Sequence, residues 1–158
     1  MTRLQQCWYR WIDRELDQDV TFPDRDSMET GDWNRWVGET GERLAGKSLW
    51  RNGFKVLYRN FRAKEGGEVD IVCREGDVLV FTEVKTRTSV EFGRPAGAVD
   101  RAKQALIIRG ANAWLRELNH PEVIFRFDIV EVVLSAGKAP EIQIIREAFV
   151  TPQVGLGM

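Results

Sequence analysis

Residues 67–85 read GEVDIVCREGDVLVFTEVK, and this stretch decides the fold. Apolar and polar side chains alternate on both sides of Gly76-Asp77, a pair typical of a tight hairpin turn. A turn at this pair places Glu75 opposite Val78. The stretch therefore predicts two antiparallel strands, over 68–74 and 78–86.

The same register predicts a cluster of charged side chains. It places Asp70 opposite Glu83, and Glu68 opposite Lys85, with opposed Cβ atoms about 4.5–5.5 Å apart. Directly opposed carboxylates repel each other unless a cation lies between them. The other face of the hairpin is apolar and predicts core packing.

Two carboxylates without a neighbouring His or Cys suit a hard ion with oxygen ligands, such as Mg²⁺ or Mn²⁺. Such an ion activates water and neutralises a phosphoryl oxygen, and Lys85 would orient that water or stabilise charge developing on the phosphate. This chemistry fits hydrolysis of a phosphodiester bond. The alternative is a surface hairpin in which Lys85 only bridges Glu68 or Glu83.

Patterns on both sides of the hairpin predict the remaining elements. The expected order is α-β-β-β-α-β-β, an α/β fold with a mixed central sheet flanked by helices. The expected elements are a helix over 38–52, a strand over 54–62, a loop over 87–98, a helix over 99–118, and strands over 123–134 and 141–147.

Asp70 is followed, after twelve residues, by Glu83-Val84-Lys85. This pattern resembles the PD-(D/E)xK motif of the restriction-endonuclease-like superfamily, although no proline precedes Asp70. It resembles more closely the YraN family of predicted endonucleases, which is related to Holliday junction resolvases. The matching fragments are Gly41-Glu42-x-x-Ala45, Asn60-x-Arg62, Gly67-Glu68-Val69-Asp70, Phe81-x-Glu83-Val84-Lys85, Phe92-Gly93-x-Pro95, Lys103 and Arg126-Phe127-Asp128.

The resemblance implies a restriction-endonuclease-like core and a Mg²⁺- or Mn²⁺-dependent endonuclease. Asp70 and Glu83 would be metal ligands, Lys85 would be catalytic, and Glu42 would join the metal site. Glu42 borders the buried stripe of its helix and can face the sheet, although it can also be an exposed helix residue. Glu68 is expected to support the site rather than bind the metal.

Four basic residues are candidates for nucleic-acid contact: Arg62, Arg87, Arg94 and Lys103. Lys103 interrupts the apolar stripe of the second helix, so it either extends to water or reaches the scissile phosphate. Arg126 and Asp128 lie two residues apart on a strand, which is also the spacing of a purely structural charge pair. No base-reading element is evident, so we expect recognition of branched or single-stranded DNA by its structure, with DNA favoured over RNA.

The chain divides into an arm (1–37), a nuclease-like domain (38–149) and a tail (150–158). The arm combines an amphipathic pattern with an acidic loop and four tryptophans (Trp8, Trp11, Trp33 and Trp36). These tryptophans pack on the chain's own core or form a surface for a protein partner or homodimer.

The composition excludes several classes of protein. At 158 residues and a net charge of −1, the chain is one domain that does not coat nucleic acid through bulk charge. It has no apolar run long enough for a membrane span, and two cysteines with one histidine argue against zinc. We expect a reduced cytoplasmic protein, either an active nuclease or a module with the nuclease fold that binds nucleic acid or a partner with little or no activity.

Overall fold

A five-stranded mixed sheet forms the centre of the molecule, with strands in the order β1-β2-β3-β4-β5. The computed structural model describes residues 20–88 and 99–152. The pairing of β3 with β4 is parallel and the other pairings are antiparallel. The elements are α1 (Thr30–Arg51), β1 (Lys55–Arg62), β2 (Glu68–Glu75), β3 (Val78–Thr88), α2 (Arg101–Glu117), β4 (Phe125–Leu134) and β5 (Glu141–Phe149). The predicted element order and the mixed α/β class are confirmed, and the architecture is compatible with a restriction-endonuclease-like core.

Both faces of the sheet are covered. Helix α1 packs through Leu44, Ala45 and Leu49 on one face, where Ile71 and Val80 are fully buried. Helix α2 packs through Ile107 and Ala111 on the other face. The central strands are therefore buried on both sides, as their almost continuous apolar sequence requires.

Helix α1 begins at Thr30 rather than at Gly38, so the expected helix start was wrong and the boundary at 37/38 falls inside a helix. Aromatic contacts explain the longer helix. Trp36 lies 5.1 Å from the ring of Phe22 and 5.2 Å from that of Trp33, and both Phe22 and Trp36 pack on the core. For Trp36, packing on the chain's own core is confirmed. Trp8, Trp11 and the amphipathic pattern around them lie outside the described residues.

Strand β3 extends to Thr88, so Arg87 and Thr88 belong to a strand and not to the expected loop. Its parallel pairing with β4 continues to Thr88 opposite Leu134 and accounts for the added length. The rest of that loop, including Arg94, lies outside the described residues. No helix in the described part of the chain is both long and apolar enough to cross a membrane.

Candidate active site

The sheet forks between β2 and β3. The predicted hairpin register is confirmed from Glu75 opposite Val78 to Ile71 opposite Thr82, and the described pairing ends there. On the other side of β2, pairing with β1 continues to Glu68 opposite Arg62. The expected pairing of Glu68 with Lys85 was therefore wrong, because β2 follows β1 beyond this point.

Asp70 lies in the fork and is held by the backbone of β3. Its Oδ2 accepts a hydrogen bond of 2.8 Å from the backbone N–H of Val84. The Asp70 carboxylate thus accepts the hydrogen bond that a backbone carbonyl of a paired strand would otherwise accept from this N–H. This hydrogen bond fixes Asp70 beside Glu83. Asp70 and Glu83 lie close together, as predicted. Their proximity arises from the hydrogen bond between the Asp70 side chain and the Val84 backbone, and not from β2–β3 strand pairing, which ends at Ile71 and Thr82.

Glu83 is a buried carboxylate, with 9% of its surface exposed. Its Oε2 has no hydrogen-bond donor among the described residues. Burial and then the adjacent charge of Asp70 raise the pKa of Glu83 to about 8. Both effects penalise the ionised form, so this position favours either a proton or a bound cation.

The cation that reaches these carboxylates is Lys103 of α2. Its Nζ bonds to Oε1 of Glu68 and lies 3.4 Å from Oε1 of Glu83. Burial opposes its charge, but the hydrogen bond to Glu68 and the charge of Glu83 outweigh burial and raise the pKa of Lys103. Lys85 is half-buried and lies on the same face of β3 as Glu83. Between the two expectations for Lys103, the structure places it at the site rather than in open water.

Glu42 enters the site from α1, and Asn60 of β1 holds it. The Nδ2 of Asn60 donates a 3.0 Å hydrogen bond to Oε2 of Glu42. Burial raises the pKa of Glu42, with a further contribution from the charge of Asp70, although the Asn60 bond opposes the rise. The backbone of Asn60 has a φ of 52°, a left-handed conformation that asparagine tolerates better than most residues. Sequence reasoning assigned no role to Asn60, and its only signal was its place in the Asn60-x-Arg62 fragment.

Glycines allow both helices to approach the fork closely. A Cβ at Gly41 would lie 1.7 Å from Oγ1 of Thr86, so α1 crosses β3 without room for a side chain. On the other face, a Cβ at Gly67 would lie 2.5 Å from the backbone nitrogen of Gly110. Gly67 also has a φ of 114°, which favours glycine. These contacts bring Glu42 and Lys103 toward the two strands.

Two of the basic residues predicted to contact nucleic acid have carboxylate partners of their own. Arg62 pairs with Glu68, and Nε of Arg87 lies 3.1 Å from Oε1 of Glu131 on the neighbouring strand. The Arg87 pair is largely shielded from solvent and therefore links β3 to β4. The hydrogen bond from Lys103, and then the contact with Arg62, lower the pKa of Glu68. Its role in supporting the site stays a prediction.

A second charged cluster lies on the neighbouring strands. Asp128 is fully buried and accepts hydrogen bonds from Arg126 and from the backbone N–H of Glu147. Arg126 also bonds to Glu75, which in turn bonds to Arg146. These contacts join three strands and support the interpretation of Arg126 and Asp128 as a structural charge pair.

The buried thiol of Cys73 is not a nucleophile at neutral pH, because burial raises its pKa to about 12.

The donor set at the fork fits a hard divalent cation, since it offers carboxylate oxygens and includes the unpartnered Oε2 of Glu83. Asp70 and Glu83 are adjacent, and Glu42 lies near enough for the charge of Asp70 to affect it. Among residues 20–88 and 99–152, no three Asp, Glu, His or Cys side chains are already close enough together to hold a metal ion. Glu42, Asp70 and Glu83 are therefore not gathered into a three-carboxylate site in this structure.

Comparison with known proteins places the chain in a family. Residues 41–132, which contain all the site residues described above, match the model of the family described as "Uncharacterised protein family UPF0102". A UPF0102 protein of Geobacter metallireducens is 44% identical over 116 residues, which cover 73% of this chain and 93% of that protein. A UPF0102 protein of Rhodococcus opacus is 42% identical over 116 residues, covering 73% and 98%. These matches confirm the resemblance to the YraN family, and the chain belongs to the uncharacterised protein family UPF0102.

Proposed function

We propose that this protein is a divalent-metal-dependent nuclease that hydrolyses phosphodiester bonds at the fork between β2 and β3. The observation that carries the proposal is the contact of two carboxylates, Asp70 and Glu83, at a buried position where one oxygen has no donor among the described residues. A fold gains no stability from such a pair unless a proton or a cation neutralises it.

In this proposal Asp70 and Glu83 hold Mg²⁺ or Mn²⁺, and Glu42 completes the site. The bound ion would supply an activated water and neutralise charge on a phosphoryl oxygen. The Val84 N–H fixes one Asp70 oxygen, which leaves the other free to bind. Asn60 holds Glu42 at the edge of the site.

Two lysines supply positive charge beside these carboxylates. Lys103 lies 3.4 Å from Glu83, so its ammonium is near any phosphate bound at the fork. In this proposal Lys103 stabilises charge developing on the phosphate, and Lys85 orients the attacking water. From the sequence, either role could belong to Lys85, and the position of Lys103 favours dividing them between the two lysines.

Cleavage of labelled DNA tests the proposal. Branched, duplex and single-stranded substrates are incubated with Mg²⁺ or Mn²⁺, beside Lys85→Ala and Glu83→Gln variants purified in the same way. We expect structure-selective cleavage by the wild type and losses of orders of magnitude in both variants. Equal cleavage by all three proteins would identify a contaminating nuclease. RNA substrates of matched structure decide between DNA and RNA.

One observation favours a second candidate, a nucleic-acid-binding or partner-binding module without turnover. Lys103 already neutralises part of the carboxylate charge, and the three acidic groups are not yet arranged around a metal. Calorimetric titration with Mn²⁺ separates the two candidates. Heat with the wild type and none with Asp70→Ala supports the nuclease. No heat with the wild type favours the binding module.

A further inference from the structure

The described cations predicted to contact nucleic acid are partly neutralised. Arg62, Arg87 and Lys103 each pair with a glutamate, so the phosphate contacts of a nucleic-acid enzyme need additional cations. Phosphate contacts supply most of the affinity of such proteins, and each contact requires a cation that can replace a counterion.

An open groove of about 590 Å³ on the α1 side of the sheet holds three such cations. Lys47 and Arg51 come from α1, and Lys138 comes from the turn between β4 and β5. Among the residues that the structure describes, no Asp or Glu lines the groove. Among the described residues, none of the three cations has a carboxylate within salt-bridge distance.

Arg51 lies in the last turn of α1, where the helix dipole already favours a cation. This effect accounts for Arg51 alone. Lys138 belongs to a different element, yet it lines the same groove. Helix stability therefore does not explain why cations from α1 and from the β4–β5 turn line one groove with no acidic side chain among its described lining residues.

We infer that this groove binds the phosphate backbone of the nucleic acid cleaved at the fork. The inference rests on the proposed function and names its binding surface. Three positive charges in one concavity complement a polyanion, and Ser48 and Asn52 add polar groups beside them. Helix α1 joins the two sites because it also carries Glu42, about 7.5 Å along the helix axis from Lys47.

Residues 42 and 47 lie on different sides of α1, about 140° apart around the helix. A strand in the groove therefore passes over α1 before it reaches the fork. The groove thus contributes affinity for substrates long enough to reach both sites.

The test measures binding without cleavage. The variant Lys47→Gln/Arg51→Gln/Lys138→Gln removes the groove charges. A control, Lys64→Gln/Arg74→Gln/Arg109→Gln, removes three exposed charges outside the groove. Fluorescence anisotropy with a labelled branched DNA in EDTA gives Kd at several salt concentrations for both variants and the wild type.

We expect the groove variant to bind at least about 10-fold more weakly than the wild type. The slope of its plot of log Kd against log salt should be smaller by about 2.7, which is about 0.9 for each of three phosphate contacts. The control should change Kd by less than about threefold. Equal weakening by both variants, an unchanged Kd in the groove variant, or no DNA binding by the wild type would overturn the inference.

Calorimetry with Mn²⁺ keeps this result separate from the proposed function. Groove-dependent DNA binding by a wild type that takes up no Mn²⁺ supports the groove and rejects the nuclease. Wild-type Mn²⁺ uptake with groove-independent DNA binding rejects the groove alone.

A different occupant is the chain's own acidic segment, Asp13, Glu15, Asp17 and Asp19, which precedes Val20 at the edge of the groove. Thermal melts of the groove variant are repeated with these four acids changed to amides. One outcome is that the groove substitutions lower Tm in the wild-type sequence but not in the protein whose four acids are changed to amides. That result would assign the groove to this segment and overturn the inference. Additive effects on Tm support it.

Discussion

Asp70→Asn tests whether the two carboxylates at the fork form a functional pair. An asparagine Oδ1 can still accept the hydrogen bond from the Val84 N–H, which Asp70 Oδ2 accepts at 2.8 Å. The new amide N–H₂ then faces Glu83, whose Oε2 has no donor among the described residues. The substitution preserves the shape of the site, removes a repulsion and supplies a donor.

The size of the effect follows from the pKa of Glu83. Burial and then Asp70 raise this pKa to about 8 from an ordinary value of 4.5. At pH 7 the shift corresponds to about 3 kcal/mol of lost folding stability. Burial is the larger cause, so we assign about 1 kcal/mol to Asp70. We expect metal-free Asp70→Asn to be more stable than the wild type by about that amount above pH 8, where Glu83 is ionised in both proteins, or about 2–4 °C in Tm. Near pH 7 the gain is smaller, because Glu83 of the wild type is still mostly protonated.

The gain depends on pH in a defined direction. Because the folded pKa of Glu83 is raised, the folded state binds more protons than the unfolded state between pH 4.5 and 8. The Glu83 contribution therefore favours folding below about pH 4.5 and is lost as pH rises toward 8. The advantage of Asp70→Asn should be small at pH 4.5 and largest above pH 8.

Urea denaturation in EDTA at pH 5, 7 and 9 measures this advantage. Asp77→Asn is the matched control, because it removes the same charge from an exposed position in the same hairpin. Mn²⁺ at 100 times its Kd should then stabilise the wild type by about 2.7 kcal/mol, but not Asp70→Asn. If Asp70→Asn instead loses about 1–3 kcal/mol at every pH and gives full cleavage, Asp70 is a structural hydrogen-bond acceptor and the proposed role is refuted.

Three further predictions concern neighbouring side chains. Lys103→Ala removes the ammonium that lies 3.4 Å from Glu83, so metal-free melts should show a loss of about 1–3 kcal/mol at pH 9 and a smaller loss at pH 5; an equal loss at both would contradict this role. Asn60→Gly and Asn60→Ala should weaken Mn²⁺ binding equally by calorimetry, because both free Glu42, whereas only alanine should also cost about 1 kcal/mol of stability in the left-handed backbone. Hydrogen bonds from Arg146 and Arg126 lower the pKa of Glu75 to about 2, so Glu75 should stabilise the fold above pH 4.5 and lose this contribution as the pH falls toward 2. In urea denaturation, Glu75→Gln should therefore show a smaller fall in the free energy of unfolding between pH 4.5 and 2 than the wild type.

Local patterns were sufficient to predict the hairpin and the order of the elements. The turn at Gly76-Asp77 fixes the register beside it, and alternation identifies the buried faces. The fork could not be predicted in this way, because it depends on β2 following β1 while β3 follows β4. Such competition between pairings of distant strands leaves no periodic signal in any one of them.

The roles of the basic residues were the hardest to predict for the same reason. Lys103 is 35 positions from Glu68, and only the packing of α2 against β2 brings them together. The pairing of Arg87 with Glu131 depends on the parallel register of β3 and β4, which no short motif encodes. A lysine within an apolar helix stripe was the one usable signal, and it pointed to the residue that contacts Glu68 and Glu83.

Asp128 and Glu83, two of the buried carboxylates of this sheet, show how function can be distinguished from structure. Asp128 is completely buried, yet Arg126 and the Glu147 N–H donate to its oxygens, so its charge is neutralised within the fold. Glu83 is almost as buried, but it lies against a second carboxylate and one of its oxygens has no donor in the described structure. An acid that a fold keeps for stability is surrounded by donors, as Asp128 is. An acid kept at a cost, as Glu83 is, favours a proton or a bound cation in addition to Lys103, and this difference is the physical reason for proposing the chemistry at the fork and not at Asp128.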